Sequence, residues 1–288
     1  MTPLRQRLID DLRVRNYSPE TIKAYVWGVA KLARHFGRSP DQLTPDDLRA
    51  FQVHLVDAQV SWSQFNQITC GLRFFYGVTL GRPDAVPFIA FGKRPRRLPT
   101  VLSPEEVAAL LETASPGRDR ALLQTAYACG LRLRELLLLE VDDIDSARMV
   151  VVVRHGKGAK QRQVPLSPRL LGELRAYWTW HRSRPFVFPG ASPGRPLTDT
   201  TVQKLFQRVR RRAGVTRRCS PHTLRHSFAT HLLESGVDLF TLKALMGHES
   251  LSTTIRYLHV SRRLLERAPS LLDLIALPPA RSTGKGES

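Results

Sequence analysis

The sequence has few cysteines, few acidic residues and no long apolar run, and each shortage excludes a class of protein. Only three cysteines occur in 288 residues, and they lie far apart. This argues against a disulfide-held fold and favours a reducing compartment. No stretch approaches the roughly 20 apolar residues of a membrane-spanning helix, and the first residues lack the apolar core of a secretory signal. We therefore expect a cytoplasmic protein with no membrane partner.

The shortage of acidic residues leaves a large excess of positive charge. Lys and Arg number 44 against 25 Asp and Glu, which gives a formal net charge of +19. Such a balance favours a polyanionic partner, nucleic acid first, although a basic or ribosome-associated protein would share it. Residues 1–90 carry 11 basic and 8 acidic residues, so the remainder carries 33 and 17. We expect the C-terminal part to supply most of the attraction to DNA.

The chain is predicted to form two domains joined by a basic linker. Residues 1–85 show helical periodicity, with Ser18 and Pro19 as a helix start. Residues 86–100 contain prolines, a glycine and basic side chains, which is typical of a linker rather than a packed element. Four basic residues there are candidate DNA contacts, although a solvated linker without a role is the alternative: Lys93, Arg94, Arg96 and Arg97. A second domain is expected over 101–277, with a disordered tail over 278–288.

The second domain is predicted to be mostly helical with a small β-hairpin. Ser103 and Glu106 have the spacing of a capping box at a helix start. The β-branched run Met149–Val153 predicts one strand and Gln161–Leu166 a second, with a glycine-rich turn between them that carries Lys157. The fold class is therefore mainly α, with a helical N-terminal domain and a mixed α/β, mostly helical second domain.

Three segments contain the residue types that phosphodiester cleavage requires. They are Cys129–Leu136 with Arg132, Pro221–His231 with His222 and Arg225, and Leu245–His248, which Tyr257 follows nine residues later. Arginine suits the charged phosphorane transition state because its guanidinium stays charged and binds two oxygens. A tyrosine hydroxyl can form a reversible ester, and histidine or lysine can protonate the leaving oxygen. The two arginines can carry the electrostatic load without a metal.

Each of these residues also has an ordinary structural interpretation. An isolated arginine is most often a surface or ion-paired residue, and an isolated buried tyrosine most often belongs to a core. Ser227 beside two histidines could suggest a Ser-His pair. Cys219, His222 and His226 could be called metal ligands, but no second Cys/His pair has suitable spacing. We therefore expect no metal site.

Taken in order, these segments resemble the motifs of the tyrosine recombinase (phage integrase-type) family. The GLRLREL segment resembles the family's arginine motif, and the GKG turn its β-hairpin lysine motif. The HTLRH and MGH segments and the tyrosine beyond them continue the pattern. The family's active-site positions then fall on Arg132, Lys157, His222, Arg225, His248 and Tyr257. The segment Ser18–Tyr25 extends the resemblance to the N-terminal domain, although Cys129 and Arg134 depart from the residues common at their positions.

The resemblance implies a fold, a reaction and a set of partners. The fold is a helical, SAM-like core-binding domain followed by a catalytic domain, both closing around double-stranded DNA. Tyr257 forms a 3′-phosphotyrosyl bond, Arg132 and Arg225 bind the non-bridging oxygens, and His248 hydrogen-bonds the phosphate. His222 and Lys157 move protons, with Lys157 the acid for the leaving oxygen. No metal, ATP or other cofactor is implied. A homotetramer on two DNA sites is expected, and a monomer or weak oligomer off DNA.

Two other functions remain open from the sequence. A type IB topoisomerase uses related chemistry to relax DNA without exchanging partners. A catalytically silent relative would serve as an architectural or regulatory DNA-binding protein. The short helical N-terminal domain and an apolar C-terminal segment favour the recombinase over the topoisomerase, and the filled active-site positions argue against the silent relative. The biological task stays open and could be chromosome-dimer resolution, phage integration or movement of a mobile element.

Overall fold

The computed structural model describes residues 2–93, 98–154, 161–182, 184–192 and 194–258. The chain separates into two compact units, Met1–Arg96 and Arg97–Ser288. Among the described residues, no helix is both long and apolar enough to cross a membrane. Each unit has its own buried apolar core.

The first unit is helical, and its helices begin where the sequence places capping residues. Its elements are α1 (Pro3–Val14), α2 (Pro19–Phe36), α3 (Pro45–Asp57) and α4 (Trp62–Phe74), with a π-helical turn over Phe75–Thr79 and 3₁₀ turns over Pro40–Gln42 and Pro83–Phe88. The Ser18 side chain accepts from the backbone N–H of Thr21, which confirms the predicted start of α2. The core includes Leu32, Phe51 and Tyr76.

Residues 86–92 pack against the first unit, so the linker interpretation is wrong for this part of the 86–100 segment. Ile89 is fully buried. The Gln52 amide bonds the backbone of Ala90 in both directions, and the Asn66 amide does the same for Gly92. Side-chain amides thus satisfy backbone groups that a proline- and glycine-containing segment cannot pair within a helix. Lys93 is exposed where this packed segment ends.

The second unit is mostly helical around a small antiparallel sheet. Its elements are α5 (Pro104–Thr113), α6 (Arg118–Ala128), α7 (Leu133–Leu137), β1 (Ile144–Asp145), β2 (Val150–Val153), β3 (Arg162–Pro165), α8 (Pro168–His181), α9 (Asp199–Arg212), α10 (Pro221–Glu234), α11 (Leu239–Met246) and α12 (Leu251–Ile255), with a 3₁₀ turn over Val141–Asp143. The strand order is β1-β2-β3, with Val151 opposite Val164. The capping box of Ser103 and Glu106 is confirmed.

A small apolar cluster fixes the helices that carry the polar site. Phe228 and Ala229 of α10 pack with Leu242 and Met246 of α11, and the ring of Tyr257 completes the cluster. The cluster therefore joins α10, α11 and the end of α12 through buried contacts. Polar residues on the same elements are held close together as a result.

Candidate active site

The structure brings together five of the six residues that the sequence motifs single out. Arg132 precedes α7, His222 and Arg225 lie on the first turns of α10, His248 follows α11, and Tyr257 follows α12. All five belong to the second unit. The sixth, Lys157, lies outside the described residues, although the two strands that flank it, β2 and β3, pair as predicted.

Two glycines give the site its backbone turns. Gly130 has a φ of +55°, and a Cβ added there would overlap the ring of Phe228. Gly247 ends α11 with a φ of +59°. Both conformations favour glycine because a side chain clashes in the left-handed region. The carbonyl oxygens of these two residues accept hydrogen bonds from Arg225 and Arg132, respectively.

A buried carboxylate, Glu135, organises the arginines, although the sequence motifs do not single it out. Its oxygens lie 2.7 Å from Nη1 of Arg132 and 2.7 and 2.8 Å from the two terminal nitrogens of Arg162. Nη1 of Arg225 is 3.6 Å away. Burial alone would raise the pKa of Glu135, but Arg162 and Arg132 lower it to about 2. One ionised carboxylate thus faces three guanidiniums, which leaves an excess of positive charge suited to an anion.

Arg225 is almost fully buried and is held by several hydrogen bonds. Its side chain is 2% exposed. It donates to the carbonyl oxygens of Gly130 (2.6 Å) and Met246, and it lies 3.3 Å from Nε2 of His248. Burial and the nearby Arg132 lower the pKa of Arg225 to about 10, which still leaves it charged at neutral pH. The guanidinium therefore has a fixed position and orientation before any ligand binds.

The contacts of His248 determine which of its nitrogens carries the proton. A guanidinium only donates, so Nε2, at 3.3 Å from Arg225, is an acceptor. The proton then lies on Nδ1, which is 2.9 Å from Oγ1 of Thr254. Burial and the charges of Arg225 and Arg132 lower the pKa of His248 to about 3, so the ring is neutral. His248 thus orients the Arg225 side chain in this structure.

The hydroxyl of Tyr257 is next to the same group of side chains. The residue is 2% exposed, and its ring is nearly parallel to that of His248, with centroids 6.3 Å apart. Its Oη lies 3.0 Å from Nδ1 of His226, on α10. Burial raises the pKa of Tyr257, while Arg225, Arg256 and Arg132 lower it. From the sequence, His226 is a possible metal ligand or serine partner, and nothing there predicts its contact with the tyrosine.

His222 and Arg225 share helix α10 but not the same environment. His222 is exposed, whereas Arg225 is buried. With His226, Arg210 and Arg218, His222 lines a solvent-open cavity of about 640 Å³. The described part of the chain contains no group of three His, Cys, Asp or Glu residues arranged to hold a metal ion. The predicted DNA contact Lys93 lies in the other unit, and Arg94, Arg96 and Arg97 lie outside the described residues.

Comparisons with known proteins agree over nearly the whole chain. Residues 100–263 match the phage integrase family, and residues 4–84 match the N-terminal SAM-like domain of phage integrases. An integrase/recombinase of Sinorhizobium fredii is 42% identical over 281 residues, which cover 96% of this chain and 91% of the relative. The tyrosine recombinase XerA of Thermococcus kodakarensis is 37% identical, with 92% and 93% covered. The crystal structure of XerH recombinase bound to difH DNA shares the fold, with a TM-score of 0.71, 24% identity and coverage of 90% and 82%.

Proposed function

Because this chain belongs to the phage integrase family of tyrosine recombinases and is a site-specific DNA recombinase, we propose that Tyr257 is the residue that cleaves the DNA strand. The observation that carries the proposal is the position of its hydroxyl. Oη lies 3.0 Å from His226 on helix α10, close enough to Arg225 and Arg132 for their charges to lower its pKa. These two arginines belong to the group of three guanidiniums around Glu135. A phosphate attracted to that charge is presented to a tyrosine hydroxyl.

The arginines bind and activate the scissile phosphate. Arg132 and Arg225 contact its non-bridging oxygens, on which negative charge grows as the phosphorane forms. Arg132 is 29% exposed and can reach a ligand, whereas Arg225 is held by carbonyl oxygens behind it. Arg162 remains with Glu135 and the carbonyl oxygen of Leu245. Its contacts fix strand β3 relative to the turn that carries His248.

The reaction proceeds by two phosphoryl transfers. In the first, Oη of Tyr257 attacks phosphorus, a 3′-phosphotyrosyl bond forms and the 5′-oxygen leaves. Lys157, in the sequence between β2 and β3, protonates that oxygen, with His222 beside the phosphate as a second proton donor. In the second, a 5′-hydroxyl from the partner strand gives its proton back to Lys157, attacks phosphorus and releases the tyrosine. The ester conserves the bond energy, so neither ATP nor a metal is required.

His248 changes its role when the phosphate arrives. Its pKa is low because burial and the arginine charges disfavour the imidazolium form. A bound phosphate offsets the charges of Arg225 and Arg132, which makes protonation of Nε2 more favourable. The protonated nitrogen then donates to a non-bridging oxygen, while Nδ1 remains bonded to Thr254. This gives a third hydrogen-bond donor to the same phosphate.

Double-stranded DNA is the substrate, and the two domains bind it together. The formal charge of +19 supports a polyanionic partner. The N-terminal domain (1–85) and the catalytic domain (101–277) both contact DNA, and the basic residues of the intervening segment, Lys93, Arg94, Arg96 and Arg97, bind backbone phosphates. Strand exchange between two sites calls for four subunits, so a homotetramer forms on paired DNA sites.

Covalent trapping tests the proposed chemistry. A labelled duplex with a nick just beyond the scissile phosphate loses its short 5′-hydroxyl fragment after cleavage, so the protein–DNA adduct accumulates. The DNA should come from the neighbourhood of the gene, with footprinting to find the bound site. We expect a denaturation-resistant adduct with the native protein and none with Tyr257→Phe, which retains the ring. Site-specific binding without an adduct from the native protein would instead indicate a silent DNA-binding relative.

A further inference from the structure

His226 is the side chain in hydrogen-bond contact with the Tyr257 hydroxyl among the described residues. Nδ1 and Oη are 3.0 Å apart, and the ring centroids are 5.8 Å apart. His226 follows Arg225 by one residue and His222 by four, so it shares a helix face with His222. The His222 and His226 ring centroids lie 4.7 Å apart. His226 thus has Tyr257 and His222 as ring neighbours.

A tyrosine hydroxyl attacks phosphorus effectively only as its proton is removed. Burial raises the pKa of Tyr257 above its ordinary value of 10, although Arg225, Arg256 and Arg132 act in the opposite direction. At neutral pH the nucleophile is therefore protonated in the free protein. A neutral imidazole 3.0 Å away is within the distance at which a general base takes a proton.

We propose that His226 is a further catalytic residue of this recombinase, with Nδ1 as the acceptor of the Tyr257 proton. As the Oη–H bond breaks, an Nδ1–H bond forms; the P–Oη bond forms as the P–O5′ bond breaks, and O5′ takes a proton from the general acid. In strand joining, the 5′-hydroxyl gives its proton to the deprotonated general acid as O5′ attacks phosphorus, the P–Oη bond breaks and His226 returns the proton to Oη. The inference rests on the proposed role of Tyr257 as nucleophile.

The surroundings of His226 suit a group that must be neutral before it accepts a proton. Burial comes first, then His222, Arg256 and Arg225, and together they lower the pKa of His226 to about 4. The ring is therefore neutral at pH 7. A scissile phosphate held by Arg225 offsets the arginine charge and increases the basicity of the imidazole at the moment of attack. His226 also lines the solvent-open cavity with His222 and Arg218, where protons exchange with water.

The replacement His226→Asn separates proton transfer from positioning. The Asn amide oxygen can accept a hydrogen bond from Oη near the place of Nδ1, but it cannot carry the proton away. We expect unchanged DNA affinity and an adduct that forms about 100- to 10,000-fold more slowly on nicked DNA. His181→Asn, at an exposed position at the end of α8, is the matched control and should react at the native rate.

Two chemical rescues identify the proton that His226 moves. Adding imidazole, or replacing Tyr257 with the more acidic 3-fluorotyrosine, should restore part of the rate in His226→Asn, because either reduces the need for the missing base. A sulfur in place of the bridging 5′-oxygen leaves without protonation, so it should not rescue this variant. Rescue by sulfur would place His226 on the leaving-group side and overturn the inference.

The outcomes separate this inference from the proposed function. No adduct with the native protein on its bound site would contradict the function itself. A native adduct together with a native rate in His226→Asn would contradict only the role of His226. If the variant does not fold, ¹⁵N NMR of the imidazole in the native protein tests the same point. We expect the proton on Nε2 and a bare Nδ1, and a proton on Nδ1 in the folded protein would overturn the inference.

Discussion

Replacing Glu135 with glutamine should destabilise the second unit by about 3 kcal/mol. The Glu135 side chain is 1% exposed and bonds Arg132 and Arg162. Its pKa falls from 4.5 to about 2 on folding, and one pKa unit corresponds to about 1.4 kcal/mol. Loss of one partner from a buried ion pair costs a similar roughly 3–5 kcal/mol. Glutamine keeps the shape but leaves three guanidiniums without their counter-charge.

The assay is urea unfolding at pH 7, with Glu112→Gln on the exposed surface of α5 as the matched control. A surface change of this kind alters stability by at most about 0.5 kcal/mol. Because the folded-state pKa of Glu135 is lowered, its stabilisation is complete above pH 4.5 and is lost as the pH falls towards 2. The gap between Glu135→Gln and the native protein should shrink over that range. A loss no larger than that of Glu112→Gln would show that the Glu135 carboxylate does not stabilise the arginine group.

Three further changes test other parts of the site. Arg225→Lys keeps the charge but loses the planar guanidinium that donates to two carbonyl oxygens. Adduct formation should therefore fall about 100- to 1,000-fold in single-turnover cleavage, while DNA affinity is retained. A native rate would argue against a role for the planar guanidinium. Gly130→Ala adds a Cβ against Phe228 at a positive φ, and urea unfolding should show a loss of about 1–3 kcal/mol in the free energy of unfolding. The control Gly172→Ala, at a position with open space for a Cβ, should show no loss. Because the pKa of His226 is lowered in the folded protein, the unfolded state takes up a proton first as the pH falls. The free energy of unfolding should therefore fall as the pH drops from 6.5 to about 4, by up to about 1.4 kcal/mol per pH unit. In urea titrations of His226→Asn, the dependence of this free energy on pH should be weaker by that amount, and an unchanged dependence would contradict the shift.

Local sequence signals predicted much of the fold. Ser18 and the pair Ser103 and Glu106 mark helix starts because capping is decided within four residues of the chain. The β2–β3 pairing follows from a β-branched run and a glycine-rich turn. β1 was missed because it has only two residues, and its pairing with β2 gives it strand character.

Features that depend on distant partners could not be predicted in the same way. The segment 86–92 has the composition of a linker, and it packs because Gln52 and Asn66, 38 and 26 residues away from their backbone partners, bond to it. His226 lies 31 residues from Tyr257 along the chain. Arg162 lies 27 residues from Glu135. Neither pair has a sequence spacing that signals contact. Both contacts arise only when α10, β3 and α7 take their folded positions.

The ordered motifs were informative for the opposite reason. Short, recognisable segments contain the reactive and charged side chains, and the fold brings these segments together. These side chains are Arg132, His222, Arg225, His248 and Tyr257. Sequence alone did not reveal that Arg225 is buried and His222 exposed on the same helix. That difference follows from the packing of α10 against α6 and α11.

Peptide mapping of the trapped adduct shows whether Tyr257 becomes covalently joined to a DNA 3′-phosphate. The adduct would be digested with trypsin and nuclease and analysed by mass spectrometry. We expect a residual nucleotide on Tyr257, attached through the 3′-phosphate. Attachment to any other residue, such as Ser227 on α10, or through a 5′-phosphate would contradict it.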